Sequence, residues 1–217
     1  MKRKFVTNLI LLLFLNILVK PFWMFGIDRT VQNTVGAREY GLYFSLFSLS
    51  ILLNILLDAG ITNFNNRSIA RDPSVLKRHL SRIIPLKFSL ALVYAIIVFA
   101  AGFFLGYSNR QFGILSILAL NQFLLSFILY LRSNISGLHF FRTDSLISVL
   151  DRFIMIVICG TLLWGNVTNQ SFQIEWFVYA QTASYLLTMV TAFLIVLSKS
   201  GKFKLRFNLR YGLSILR

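Results

Sequence analysis

An all-α, polytopic membrane protein built as a six-helix bundle is the fold class this sequence predicts, and three observations predict it. Uncharged runs of about 20 residues recur along the whole chain, the length a helix needs to cross ~30 Å of hydrocarbon. Of the 217 residues 57% are hydrophobic and only 13% are charged, against roughly 25% charged in an average soluble domain. The basic residues gather in the gaps between the apolar runs, which is the distribution that the positive-inside bias leaves. A soluble exterior cannot be assembled from such a chain, and a helix is the one open-ended structure that satisfies its own backbone in lipid.

The spans follow in order. The first covers 5–27 and is interrupted only by Lys20. Its start has the basic head and apolar middle of a secretory signal, but no small-x-small cleavage site follows and the run continues to Ile27, so it reads as a span. The second covers 40–62, uncharged to Leu57, and is expected to continue helically for a turn or more until Asp72 and Pro73 break it. The third and fourth cover 83–107 and 111–137. The fifth, 145–164, carries Asp151 and Arg152, because sliding it forward would bury the polar stretch GNVTNQSFQ. The sixth covers 176–198. Residues 1–198 then form one membrane lobe. The basic and apolar residues of 199–217 make a tail that lies on anionic headgroups, or a linker into further spans.

Fifteen of the 22 Lys and Arg fall on the side of the N terminus, in 2–4, 67–82, 142 and 199–217, and three (Arg29, Arg38 and Arg110) on the other. The richer side is expected to be cytoplasmic, with both ends of the chain inside and the protein in the inner cell membrane. This topology absorbs the net charge of +15, and no basic stripe with interleaved aromatics points to nucleic acid. Cys159 is alone in an apolar run, and His79 and His139 are far apart without spaced ligands. Neither a disulfide framework nor a metal site is expected. No Gly-rich phosphate loop or nucleophile elbow is present, so neither a cofactor nor an enzyme is expected.

The informative residues are the polar ones that lipid should not tolerate. A charge near the bilayer centre costs ~2.5–3.5 kcal/mol on insertion scales. Lys20 lies roughly 18–23 Å into its span at 1.5 Å per residue, too deep to reach the N-terminal side by snorkelling. Pro21 follows it and cannot donate to the carbonyl of Ile17, so a kink is expected there. A deep cation beside a hinge predicts a hydrated cavity; the alternative is that Lys20 snorkels toward the far interface beside Trp23 and Phe25. In the hairpin that links spans four and five, Arg132 and Asp151 should face each other as an intramembrane ion pair. Arg152 points about 100° away on the helix and needs another partner. Asn54 and Asp58 share a face and would line an aqueous opening or bond between helices. Gly102 and Gly106 form a GxxxG, expected to bring two helices close.

The stretch VGAREYGLYFSLFSLSILLNILLDAGI resembles the first outer loop and second helix of polysaccharide and O-antigen flippases, and YLRSNISGLHFFRTDSLISVLDRFIMIVI resembles their tight fourth-to-fifth hairpin, with Arg132, Gly137 and Arg142 at matching places. These flippases belong to the multidrug/oligosaccharidyl-lipid/polysaccharide exporter superfamily. The resemblance implies a two-lobed transporter of 12–14 helices. It would move a polyprenyl-diphosphate-linked oligosaccharide from leaflet to leaflet by alternating access. A cationic cavity between its lobes would hold the diphosphate, Lys20 being the best match and Arg29, Arg132 and Arg152 weaker ones. The length is that of the N-terminal lobe alone, so a second lobe of six to eight helices and polysaccharide assembly proteins are the implied partners, beside membrane lipids. Two other readings are a cation-coupled multidrug exporter half, which would need free carboxylates in the membrane core, and a non-transporting scaffold or truncated remnant.

Overall fold

A computed structural model of the chain describes residues 2–165, 170–201 and 204, with side chains described at Ile10 and from Leu13 onward. The described residues are helical almost throughout and contain no strand. Helix α1 (Lys2–Pro21) passes without interruption into a π-helical stretch, Phe22–Asp28, and on into α2 (Arg29–Leu52). The break expected at Pro21 therefore takes the form of widened turns rather than a sharp kink. Pro21 keeps ordinary helical angles, and beyond it the Arg29 N–H reaches back five residues to the Met24 carbonyl. Widening the turn is one way a helix absorbs the donor and the space that a proline ring removes.

The chain reverses within α2. Gly36 adopts φ 83° and ψ 164°, outside the helical region, a conformation open to glycine because it has no Cβ. The Tyr40 hydroxyl then donates to both carboxylate oxygens of Asp28 at 3.0 Å. Along an unbroken helix those residues would stand about 18 Å apart, beyond the reach of the two side chains, so the contact requires the chain to fold back. A 3-10 turn, Leu53–Leu57, ends the returning segment, and Ala59 (φ 42°) and Gly60 (φ 85°) turn the chain into a separate helix α3 (Ile61–Arg71). The second span thus stops at Leu57 instead of running on toward Asp72.

Four long helices complete the fold: α4 (Leu76–Phe104), α5 (Asn109–Gly137), α6 (Phe141–Trp164) and α7 (Ile174–Ser200). A capping box starts α5, with Ser108 and Gln111 bonding each other's backbone, which satisfies two orphaned donors at the helix start. Five to six segments are long and apolar enough to cross a membrane, the number turning on whether Leu13–Leu57 counts once or is divided at Gly36. This is a multi-pass membrane protein. Of the basic tail expected at 199–217, Lys199 and Ser200 belong to α7, Gly201 and Lys204 are described, and the rest lies outside the described residues.

Helix α5 is the axis of the bundle. Two-thirds of its apolar window is buried, against 22–39% in the other candidate spans, and it contacts α2, α3, α4, α6 and α7. Around it the outer faces are greasy, with Ile17, Leu52, Ile55, Leu92, Phe103 and Phe104 all exposed, as lipid-facing surfaces must be. Of the GxxxG pair, Gly102 alone makes the close approach. A Cβ there would sit 3.1 Å from side-chain atoms of Leu115 and Phe112. Gly106, at φ 68°, closes the end of α4 instead.

Candidate functional site

The chain brings three of its four candidate cations into one cavity. Lys20 from α1, Arg132 from α5, and Asp151 and Arg152 from α6 line a space of about 170 Å³, with Leu125, Ile128, Leu129, Ile147 and Ser148 as its other walls. On α5 the lining residues are three, four and seven positions apart, so they form a single stripe. The cavity exists because α6 packs more closely on α1 and α7 than on α5. The two helices of the hairpin diverge from their corner, and Lys20 lines the space between them.

That divergence overturns the expected pairing of Arg132 with Asp151. The Arg132 Nε donates instead to Asp144, in the first turn of α6, at 2.7 Å. Asp144 is close to the corner, where α5 and α6 still touch, whereas Asp151 lies across the cavity. Asp151 is matched by its neighbour Arg152 at 3.5 Å. The Arg152 guanidinium also lies 4.3 Å from the centre of the Trp23 ring, a cation–π contact, and bonds Tyr185. Trp23, one of the aromatics expected at an interface, is half-buried against Arg152. Three cations therefore face two carboxylates. Among the described residues Lys20 is the cation left without an ion-pair partner there.

Arg29, the fourth candidate, is not in the cavity. It is exposed at the junction of the π-helical stretch with α2 and bonds Gln32 at 3.3 Å. Asn54 and Asp58 do not line it either. The Asn54 amide donates to Gln122 at 2.7 Å, the bond between helices that had been the alternative to an aqueous opening. Asp58 accepts from the backbone of Thr62 at 3.3 Å, at the start of α3, and from Lys87.

Lys87 is the functional-looking residue that sequence reasoning passed over. It is 1% exposed, and its ammonium donates to Asp58 at 2.6 Å and to the Leu57 carbonyl and Ser126 hydroxyl at 2.9 Å each. Three oxygens use its three donors. A signal was available: Asp58 closes one span and Lys87 opens the next, and consecutive antiparallel spans put those ends at one level. At the opposite end of the bundle Arg110 bonds both Glu39 and Glu175, each at 2.7 Å. These are the chain's only two glutamates, so this cluster too was visible in composition.

His79 is buried and its Nδ1 lies 2.9 Å from the Asn65 side-chain oxygen, a packing role. No group of three or more His, Cys, Asp or Glu among the described residues could hold a metal ion. Compared with known proteins, the chain matches no family model, no curated protein and no solved structure.

Proposed function

We propose that this chain is a six-helix lobe of a lipid-linked oligosaccharide flippase, lying in the inner cell membrane with both ends cytoplasmic, and that the Lys20 cavity anchors the substrate's diphosphate. The observation that supports this most is the surplus cation. Lys20, Arg132 and Arg152 converge, two carboxylates offset two of the charges, and the remaining ammonium stands open at the level of the membrane-spanning segments. A charge so placed costs several kcal/mol unless water or a counter-ion meets it, and a polyprenyl diphosphate delivers that counter-ion from within the lipid. Arginine forks suit phosphate oxygens, and Lys20 supplies a mobile point charge.

The cavity is smaller than the ~300–1,000 Å³ of a typical ligand pocket. It suits a phosphate anchor, while the sugar chain needs a larger hydrated space, such as the one that a second lobe would enclose. The widened turns at Phe22–Asp28, directly after Lys20 and Pro21, provide a place where the first helix can bend as access alternates. A cation-coupled exporter requires an unoccupied carboxylate in the membrane core. Asp58 is held by Lys87, and Asp151 is next to Arg152, which weighs against that reading.

The test is transfer of a lipid-linked oligosaccharide across proteoliposomes holding this chain with its partner lobe. Lys20→Ala should lower transfer by about tenfold or more, as expected for a lost charged hydrogen bond worth ~1.5–3 kcal/mol. Insertion and melting should not change. Full transfer by the variant removes Lys20 from the mechanism.

A further inference from the structure

A second basic site lies on α3, and among the described residues no carboxylate pairs with its arginines. Helix α3 is locked in rotation by its inner face. Ile61, Asn65 and Ile69, four residues apart, are each fully buried. The Asn65 amide donates to the Ser133 hydroxyl of α5 at 2.7 Å and its oxygen is bonded to His79. Gly137 is so close that a Cβ there would fall 2.9 Å from that of Ile69. With that face fixed, Phe64, Arg67 and Arg71 are held outward. They line a cavity of about 480 Å³ together with Ser68 and Asp72.

Arg110, Arg132, Arg152 and Lys87 all have carboxylates within 4.0 Å. Arg67 and Arg71 have none among the described residues, although they are one turn apart and share a cavity. The acidic group at the rim, Asp72, is turned back on its own chain and accepts from the Ser74 backbone at 3.0 Å. We infer that this groove is a binding site for the phosphodiester headgroup of an anionic lipid, held by Arg67 and Arg71 with Phe64 against the acyl chain. Two guanidinium forks at i and i+4 meet a phosphodiester from one side.

Position selects a lipid over a soluble anion. Leu52 and Ile55, 73% and 76% exposed, belong to the lipid-facing surface and end only a few residues before Gly60. The groove therefore opens where the apolar belt stops, at the level of headgroups. This inference needs the chain to be in a membrane but is independent of the Lys20 cavity.

The experiment incorporates the purified chain into nanodiscs of mixed phosphatidylglycerol and phosphatidylcholine and measures the lipids that it retains by native mass spectrometry. The wild type should be enriched in phosphatidylglycerol. Arg67→Gln with Arg71→Gln should lose that enrichment several-fold at unchanged melting temperature. Lys77→Gln with Arg78→Gln, which neutralises exposed charges just beyond the groove, should keep it. Equal losses in the two double variants would reveal a general basic surface and overturn the site, as would a wild type with no preference. Displacement of the lipid by inorganic phosphate alone would overturn the headgroup as its ligand.

Discussion

Lys87 and Lys20 stand at nearly the same height on α5 but on different faces of it, one beside Ser126 and the other beside Ile128 and Leu129. Their surroundings are opposite. Lys87 is sealed from solvent and fully saturated by a carboxylate, a carbonyl and a hydroxyl, which tie together the end of the returning segment at Leu57, the turn into α3, and helices α4 and α5. Lys20 is exposed in a cavity that holds two further cations, and no carboxylate is within ion-pair distance among the described residues. A buried charge with all its donors used is a fastener, since nothing can bind it without first breaking what it holds. A deep charge with donors to spare is available to a ligand.

Substitutions that remove or free one charge at a time break or sharpen this contrast. The largest effect belongs to Lys87→Met. It leaves Asp58, 32% exposed, without its cation, so the cost falls below the ~3–5 kcal/mol of breaking a fully buried pair but stays the largest of the three. Denaturation in mild detergent should show that loss, and Lys87→Met combined with Asp58→Asn should recover part of it. If the single variant melts with the wild type, Lys87 is not a fastener. A smaller effect belongs to Asp144→Asn. Arg132 and Asp144 are partly buried, 23% and 14% exposed, so their bond is worth about 1 kcal/mol. Freeing Arg132 also adds a second unpaired cation to the Lys20 cavity. Pyrophosphate protection from alkylation of a Ser148→Cys probe in the cavity wall, with the buried Cys159 replaced by alanine, should therefore strengthen as stability falls, and a fall in both would place Arg132 outside the anion site. The smallest effect is that of Lys20→Met on stability, expected within about 0.5 kcal/mol. A large loss there would make Lys20 structural as well and erase the contrast.

The legible part of the site was its depth and charge. Counting residues from the start of a span places Lys20 deep in it, and folding the chain at the hairpin sets Arg132 at the level of Asp151, because rise per residue is a local property. The unread part was which groups touch. Numbering across a hairpin matched Arg132 to Asp151 on the assumption that the two helices stay parallel, and their divergence gave Arg132 to Asp144 instead. The second span was expected to run on past Asp58 because its residues can form helix. The left-handed backbone at Ala59 and Gly60 ended it there, and Lys87 bonds the Leu57 carbonyl beside that turn.

The order of apolar runs and basic gaps was enough by itself to make this an all-helical protein of several membrane crossings. Lipid imposes length and polarity segment by segment, and a linear sequence displays both. Tertiary structure alone decided that one intramembrane lysine is consumed and another left open. That outcome depends on the tilt and rotation of helices that are distant in sequence, which arise from packing against α5 and are written in no single segment.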